Sequence, residues 1–253
     1  MQRARDAALK FFIDLHLCPS LEDQKETELM IRKSAELGYR AVGIPLPKEN
    51  YKDATERISE ICDKTGLDFI SRIDLEPSNT AELLNDLRRL RRKVEVISVK
   101  CMSKSVARQA AKDHRVDILS FSPLDVRKRF FDLAEAELAS KTQVSFEIDM
   151  APLLYLQGYR RIRLISKLRE EVYIAKKRDV SIIISSGASE PKLLRKPKDL
   201  VSLGYLFELD PDNAEKALSD NPRELIERNR RKLSSNHVAP GIYVVRRGKD
   251  CLS

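Results

Sequence analysis

The sequence is poor in histidine and contains no tryptophan: its 253 residues include only His16, His114 and His237. A catalytic zinc centre usually takes three protein ligands in which imidazole dominates, and a binuclear centre needs more. Only His16 directly follows an apolar, strand-like run, since His114 precedes one and His237 lies near the carboxyl terminus. The sequence therefore argues against a histidine-rich metallohydrolase.

Several other signatures are also missing. The four cysteines are widely separated with no C-x-x-C pair, which suits neither a disulfide framework nor a zinc ribbon. The chain has no G-x-S-x-G elbow, no P-loop and no G-x-G-x-x-G fingerprint. No run approaches the roughly 18 apolar residues of a membrane span, and the first twelve residues lack the apolar region of a secretory signal. We therefore expect a soluble, cytoplasmic protein without membrane contact.

What the sequence does contain is a regular alternation of strand-like and helix-like segments. Charged segments with helical periodicity separate seven short apolar runs, at residues 10–17, 39–46, 67–75, 94–101, 116–123, 144–149 and 180–187. Alternation of this kind predicts a parallel sheet with right-handed crossovers, and 253 residues match one α/β barrel. We predict a TIM-like (β/α) barrel of seven strands with extra carboxyl-terminal helices.

The carboxyl-terminal part is harder to place. Helices are predicted to begin at Asp210-Pro211 and at Asn221-Pro222, because a capping residue before a first-turn proline favours a helix start. "GYLFEL" (204–209) is the one candidate for an eighth strand, so closure of the barrel stays open. We expect residues 1–233 to form a single domain and residues 234–253 to form a flexible tail.

Positive charge is concentrated in one part of the chain. The net charge of the whole protein is +8, and residues 88–115 alone hold ten basic and two acidic residues, which is also +8. A basic region on a neutral background suggests a polyanionic partner. Some of these basic residues would be explained equally well as a balance for the negative end of a helix dipole, at the carboxyl terminus of a helix.

Carboxylates follow several of the predicted strands. In α/β barrels the functional residues gather where strands end, which points to His16, Asp74, Glu76, Lys100, Ser122, Glu147, Asp149, Ser185 and Ser186. A magnesium site could use Asp14, Asp74, Glu76 or Asp149, since hard cations accept oxygen ligands. A stand-alone metal-dependent phosphoesterase therefore stays open as an alternative.

The most distinctive stretch is "VSIIISSGASEPKLLRKPKDLVSLGYLFEL" at residues 180–209. A predicted strand in this stretch ends in Ser185, Ser186 and Ala188. A predicted helix then starts around Arg195, Pro197 and Asp199. This combination resembles the thirty-kilodalton protein subunit of archaeal and eukaryotic ribonuclease P. The archaeal form is the protein component 3 type. "VDILSFSP" (116–123), "APLLY" (151–155) and the basic helix that follows are similar to the same family.

The resemblance implies a barrel related to the polymerase-and-histidinol-phosphatase-like phosphoesterases that has lost their metal-binding histidines. It implies a noncatalytic RNA-binding subunit of the ribonuclease P ribonucleoprotein, an endoribonuclease whose catalytic RNA removes the 5′ leader of precursor tRNA. The partners it implies are the ribonuclease P RNA, precursor tRNA indirectly, and a small ferredoxin-like protein subunit. The chain itself would carry no catalytic centre and no cofactor, with magnesium held by the RNA.

The matched segments also suggest which residues contact RNA. Arginine can donate two hydrogen bonds to one phosphate, so the first candidates are Arg108, Arg127 and Arg195, followed by Lys104 and Lys141. A solvated surface charge is the alternative for each of them. Four aromatic residues, Phe130, Phe131, Tyr155 and Tyr159, are predicted to pack in the core or to close the barrel. We therefore expect recognition of the RNA backbone and shape rather than of bases.

Overall fold

Parallel strands in chain order form the centre of the fold. The computed structural model describes residues 11–234, 236–239 and 242–243, and within them one sheet runs in the order β1 to β7. Each strand lies inside one of the seven predicted runs, which confirms that part of the prediction. The strands are β1 (Ile13–Asp14), β2 (Ala41–Pro45), β3 (Asp68–Leu75), β4 (Val96–Lys100), β5 (Ile118–Ser120), β6 (Ser145–Asp149) and β7 (Ile182–Ser185).

Helices connect successive strands and surround the sheet, which is the arrangement of a TIM-like barrel. Asp23 illustrates how they begin, because its side chain accepts a hydrogen bond from the backbone N–H of Glu26. The helices are α1 (Gln24–Leu37), α2 (Tyr51–Thr65), α3 (Thr80–Leu90), α4 (Lys104–Ala111), α5 (Leu133–Thr142), α6 (Ala151–Tyr155), α7 (Gly158–Lys177), α8 (Pro197–Gly204), α9 (Pro211–Lys216) and α10 (Asp220–Leu233). Short 3₁₀ turns occupy Val126–Lys128, Pro191–Leu193 and Tyr205–Phe207.

Among the described residues, the barrel closes between β1 and β7 without an eighth strand in its sheet. Near the carboxyl ends of these strands, Leu17 and Ala188 form a parallel bridge. Further down, the backbone at Ala217 and Leu218 fills the gap: the N–H of Ile13 donates to Leu218 at 3.0 Å, and that of Ile184 donates to Ala217 at 2.9 Å. These two residues take the place that an eighth strand would have.

The one candidate for an eighth strand, at residues 204–209, does not form a strand, and the sheet has the seven strands that the sequence predicts. Residues 205–207 of "GYLFEL" form a 3₁₀ turn that continues directly from α8, with Tyr205 and Leu206 exposed and Phe207 buried. Phe207 packs into the hydrophobic core that lies between the sheet and its helices. The segment therefore places one aromatic side chain in the core by turning, without contributing a ladder of backbone hydrogen bonds.

The final helix, α10, covers the amino-terminal end of the barrel. Leu225 and Ile226 pack against an inward-facing layer of strand residues, which comprises Ile13, Leu15, Ala41, Ile70, Val96, Ile118 and Ile183. The side chain of Asn229 donates to Asp117 at 2.8 Å and to the carbonyl of Glu95 at 2.9 Å. One end of the barrel is thus apolar and sealed, so solvent reaches the interior from the opposite end.

The two predicted helix starts have different outcomes. Asp210 caps α9 as predicted, since its side chain accepts from the N–H of Asn213 at 3.0 Å. The prediction for α10 is off by two residues, because Ser219 holds the cap position. Asn221 instead donates its side-chain amide to the carbonyl of Ile182 at 2.8 Å and so ties the helix to β7.

Beyond α10 the described residues include a short antiparallel pair, β8 (His237–Ala239) and β9 (Ile242–Tyr243). Most of the predicted tail at 234–253 lies outside the described residues. Residues 1–10 lie outside them as well, so the expected absence of a secretory signal there stays a prediction. The division into one domain and a tail stays a prediction. In the part of the chain that is described, no helix combines the length and apolar character that crossing a membrane requires.

Candidate functional site

At the carboxyl ends of the strands the barrel interior is polar, and Arg72 of β3 lies at its centre. The Arg72 side chain is fully buried. Its two terminal nitrogens donate to the two carboxylate oxygens of Glu147 at 2.7 Å each, and its Nε donates to Asp74 at 2.6 Å. It also donates to the carbonyl of Leu15 at 2.8 Å. Because these partners lie on β3 and β6 and directly after β1, the guanidinium spans the inside of the barrel.

His16 lies above this pair, between two carboxylates. Its Nδ1 is 2.8 Å from Asp149 and its Nε2 is 2.9 Å from Asp74, so both ring nitrogens face an acceptor. Burial lowers the pKa of His16, and so does the nearby Arg72, but the carboxylates of Asp149 and Asp74 outweigh them and raise it well above its usual value. Asp74 is partly buried, which would raise its pKa, yet Arg72 and His16 bring that pKa below the usual range. The structure therefore favours an imidazolium between two ionised carboxylates.

The Ser-Ser-Gly-Ala stretch after β7 holds this polar centre in place. The Ser185 hydroxyl donates to Glu147 at 2.7 Å, and the N–H of Ser186 donates to the buried Asp14 at 2.8 Å. Gly187 has φ +57° and donates its N–H to the carbonyl of His16 at 2.9 Å. A Cβ on Gly187 would lie 2.7 Å from the Cβ of Asp149, so the close approach requires glycine.

A pocket of about 310 Å³ opens above these groups towards solvent. Five residues expected at the strand ends line it together, namely His16, Asp74, Glu76, Lys100 and Asp149. Lys100 and Glu76 form an ion pair of 3.0 Å at its edge. Of the other expected residues, Glu147, Ser185 and Ser186 lie buried beneath the pocket, and Ser122 lies apart, in the loop that follows β5.

Among the described residues, one group could hold a metal ion: ligand atoms of His16, Glu147 and Asp149 lie within 4.8 Å of one another. Most of these ligand atoms already have a partner within the chain, however. Both oxygens of Glu147 accept from Arg72, and both nitrogens of His16 face carboxylates. A divalent ion would have to displace these cations from their partners, so this arrangement fits a metal poorly.

Comparison with known proteins identifies the family. A family model described as RNase P subunit p30 matches residues 11–234. The chain belongs to the ribonuclease P subunit p30 family. This confirms the resemblance that the sequence motifs suggest.

Curated relatives of this family member carry the name ribonuclease P protein component 3. The protein from Methanosarcina barkeri is 31% identical over 213 residues, which cover 84% of this chain and 86% of the relative. That from Methanococcoides burtonii is 26% identical over 238 residues, which cover 94% and 95%. The similarity therefore extends over nearly the full length of both relatives.

Solved structures confirm the fold of this p30 family member. A chain in a cryo-EM structure of archaeal ribonuclease P with mature tRNA superposes with a TM-score of 0.80 at 24% identity, covering 94% of this chain and 99% of the other. A putative prolidase from Bifidobacterium longum gives 0.51 at 10% identity, covering 87% and 70%. At such low identity these likenesses show the TIM-like barrel and no more.

In this member of the p30 family, the predicted RNA-contacting residues are spread over the surface. Lys104 at the start of α4 and Arg127 in the loop after β5 lie near the carboxyl ends of the strands, as does Arg195 before α8. Lys141 is in the last turn of α5, towards the opposite end of the barrel. Arg108 lies in the last turn of α4, on the side that faces α5, where it reaches Asp132. The structure does not gather these five residues into one patch.

Each of the five also has a partner within the chain. Lys104 and Arg108 share Asp132, at 3.2 Å and 3.3 Å. Arg127 contacts Asp125 at 3.2 Å, Lys141 contacts Glu137 at 3.0 Å, and Arg195 donates to two backbone carbonyls of its own turn. Exposed pairs of this kind exchange partners readily, so an RNA contact by each residue stays a prediction.

The prediction that the aromatic residues pack in the core is partly wrong. Phe131 is buried and stacks on Phe146 with 4.6 Å between ring centroids, and Phe130 packs against the core. Tyr155 and Tyr159 are exposed, at 47% and 72%. They lie at the end of α6 and the start of α7, and the side of α7 that faces the barrel is already filled by aliphatic side chains such as Leu164 and Leu168.

Sequence reasoning missed Arg72, the residue around which the polar centre is built. The available signal was an arginine in the middle of the apolar run "LDFISRIDL". A charged residue at an inward position of a barrel strand needs a buried counter-charge, because burying an unpaired ion is costly. Glu147 in β6 provides it.

Proposed function

We propose that this chain is a noncatalytic, RNA-binding protein subunit of ribonuclease P, which helps a catalytic RNA to remove the 5′ leader of precursor tRNA in the cytoplasm. The observation that carries the proposal is the contact pattern of the polar centre in a p30 family member: Arg72 and His16 occupy the carboxylates that a hydrolytic metal would need. In this proposal the chain keeps the fold of a phosphoesterase, but its carboxylates form ion pairs with Arg72 and His16 and do not bind a metal.

The role of the protein in this proposal is electrostatic. A folded RNA brings its phosphates close together, and arginine or lysine side chains held at fixed positions reduce that repulsion and release counterions. The chain has a net charge of +8, which favours association with a polyanion. Bond breaking belongs to the RNA, which also binds the magnesium ions.

The proposed partners are the ribonuclease P RNA, precursor tRNA through that RNA, and a small ferredoxin-like protein subunit. Support for an RNA-containing assembly comes from the structural neighbour, which is a chain of archaeal ribonuclease P in complex with mature tRNA. The protein itself is proposed to hold no cofactor.

Reconstitution tests the function directly. The cognate RNA is assayed for precursor-tRNA cleavage over a range of magnesium concentrations, alone and with this chain and its partner subunit. We expect the proteins to lower the magnesium requirement and to raise the cleavage rate. Cleavage that is the same with and without this chain at every magnesium concentration would contradict the proposal.

A finer test concerns the predicted contacts. Arg127 is 84% exposed and Arg108 is 42% exposed, so either can be replaced by alanine, with thermal melting to verify folding because the Nε of Arg108 is buried. If the residue binds a phosphate, the slope of log affinity against log salt should fall by about one. An unchanged slope removes that residue from the interface.

A second candidate function is a metal-dependent phosphoesterase, favoured by the proximity of His16, Glu147 and Asp149. Metal analysis of the purified protein and turnover of a generic phosphodiester separate the two functions. Stoichiometric metal together with turnover that is lost in Asp149→Asn would support the phosphoesterase, and the absence of both would exclude it.

A further inference from the structure

One face of α7 exposes aromatic and basic side chains together. Tyr159, Ile162, Arg163, Ser166, Tyr173 and Lys177 recur at helical spacing and lie on one side of the helix; we call these six residues the α7 face. Tyr159, Ile162 and Tyr173 are 72%, 64% and 63% exposed. Three large exposed side chains on one helix face are unusual enough to require a reason.

Packing of the barrel does not provide that reason. The opposite side of α7 buries Leu164, Leu168, Val172 and Ala175 against the core. The buried Glu171 pairs with Arg129 at 2.6 Å and so fixes the helix to the loop after β5. Since α7 is anchored by these contacts, the tyrosines on its outer face are not needed to hold the helix in place.

The cations of the α7 face lie against its aromatic rings. The Arg163 guanidinium is 5.5 Å from the centroid of Tyr159, and the Lys177 ammonium is 5.9 Å from that of Tyr173. Within the part of the chain that the structure describes, neither cation has a carboxylate at ion-pair distance. Glu170 is exposed on the same side of the helix, between Ser166 and Tyr173, and its charge is balanced by Lys167 at 2.9 Å.

This distinguishes the α7 face from the residues that the sequence motifs suggest. Lys104, Arg108, Arg127 and Lys141 each contact a carboxylate of the chain, so a phosphate would have to compete for them. Arg163 and Lys177 can bind a phosphate without giving up an internal ion pair. Each also has a flat aromatic surface beside it.

We propose that the α7 face binds an unpaired segment of RNA, with Arg163 and Lys177 contacting phosphates and Tyr159 and Tyr173 stacking against bases. Two cation–ring pairs along one helix match the usual combination for single-stranded nucleic acid, in which basic groups follow the backbone and aromatic rings accept bases. At about 1.5 Å per residue, Tyr159 and Tyr173 are about 21 Å apart, which leaves room for several nucleotides between them.

RNA fits this face better than a second protein does. The centre of a protein interface is depleted in charge and rich in packed apolar groups. The α7 face has one aliphatic side chain, Ile162, and each of its two cations lies against an aromatic ring. The proposal rests on the proposed function, because it names the part of the surface through which an RNA-binding subunit would hold its RNA.

The experiment measures binding of the full chain to a fluorescently labelled, mixed-sequence single-stranded RNA of about 12 nucleotides and to a fully paired hairpin of the same length. Tyr159→Ala/Tyr173→Ala should raise Kd for the single strand at least about tenfold, since stacking is lost. Tyr159→Phe/Tyr173→Phe should bind like the unchanged protein. Arg163→Ala/Lys177→Ala should reduce the salt slope by about two.

The matched control is Lys52→Ala/Lys64→Ala. These two exposed cations lie on α2, across the barrel from α7, and no carboxylate partner is described for them either. Removing them takes away the same charge, so a change as large as that of Arg163→Ala/Lys177→Ala would overturn the proposal. Thermal melting of all variants verifies that each one folds.

The outcomes separate the two levels of inference. If the unchanged protein binds no RNA at physiological salt, the proposed function fails. If it binds RNA and the α7 variants bind equally well, the α7 face is excluded while the proposed function stands. A loss of affinity in the charge variant with none in the tyrosine-to-alanine variant would overturn the stacking that we propose.

Discussion

Glu135 offers a sharp test of the electrostatics of this barrel. It lies in the first turn of α5 with its side chain fully buried, and within the described residues neither carboxylate oxygen has a hydrogen-bond partner. The guanidinium of Arg108 is 4.0 Å away. Burial raises the pKa of Glu135 to about 7, and the neighbouring Asp132 adds to the rise. Glu135 is therefore a buried acid that favours its neutral form.

The expected effect of pH follows from that pKa. The usual value in an unfolded chain is 4.5, so the folded protein binds this proton more tightly than the unfolded chain does. The proton stabilises the fold fully below pH 4.5, and this stability is lost as the pH rises through about 7. At about 1.4 kcal/mol per pKa unit, the whole effect is about 3 kcal/mol.

Glu135→Gln keeps the shape of the side chain and removes its titration. We expect the free energy of unfolding of the unchanged protein to fall, relative to this variant, by about 2 to 3 kcal/mol between about pH 5 and about pH 8. Urea unfolding at several pH values measures this difference directly. The control is Glu137→Gln in the same helix, where Lys141 lowers the pKa, so its titration lies below this window. If the free energy of unfolding changes with pH by the same amount in the Glu135→Gln variant and in the unchanged protein, the raised pKa of Glu135 is refuted.

Two further predictions concern the polar centre. Arg72→Met should cost about 3 to 5 kcal/mol in urea unfolding, because it leaves Glu147 buried without its cation, and the double variant Arg72→Met/Glu147→Leu should recover most of that loss. If the double variant is no more stable than the single one, the pair is not the reason for the loss. Gly187→Ala should destabilise the fold by about 1 to 3 kcal/mol, since alanine combines a positive φ with a clash against Asp149. Gly66→Ala, at φ +72° with nothing within 4 Å of the added Cβ, should cost less, and equal losses would contradict the role given to the clash.

The sequence predicts the strands well because a buried parallel strand is apolar along its whole length. The seven runs and their alternation with helices are enough to define the barrel. Closure at Ala217 and Leu218 could not be found in this way, because two residues that bridge two edges leave no periodic pattern. "GYLFEL" has the composition of a strand, and only the continuing turn of α8 makes it a 3₁₀ segment.

The site is predicted less completely than the fold. The strand-end rule brings His16, Asp74 and Asp149 together correctly, since all parallel strands end at one side of the barrel. The sequence alone does not predict which side chains on neighbouring helices contact each other. Arg108 and Asp132 are 24 positions apart and meet because α4 packs against α5. Tyr159 is predicted to lie in the core or to close the barrel, but a tyrosine in an amphipathic helix fits either side of that helix, and only packing decides between them.

The late position of Ala217 and Leu218 has a consequence for synthesis of the chain. Until these residues leave the ribosome, β1 and β7 present unpaired backbone groups along the lower part of the gap between them. Exposed strand edges template association with other chains. Nascent or truncated forms that end before residue 217 should therefore self-associate, and a chaperone that shields the open seam would protect them until the barrel is complete.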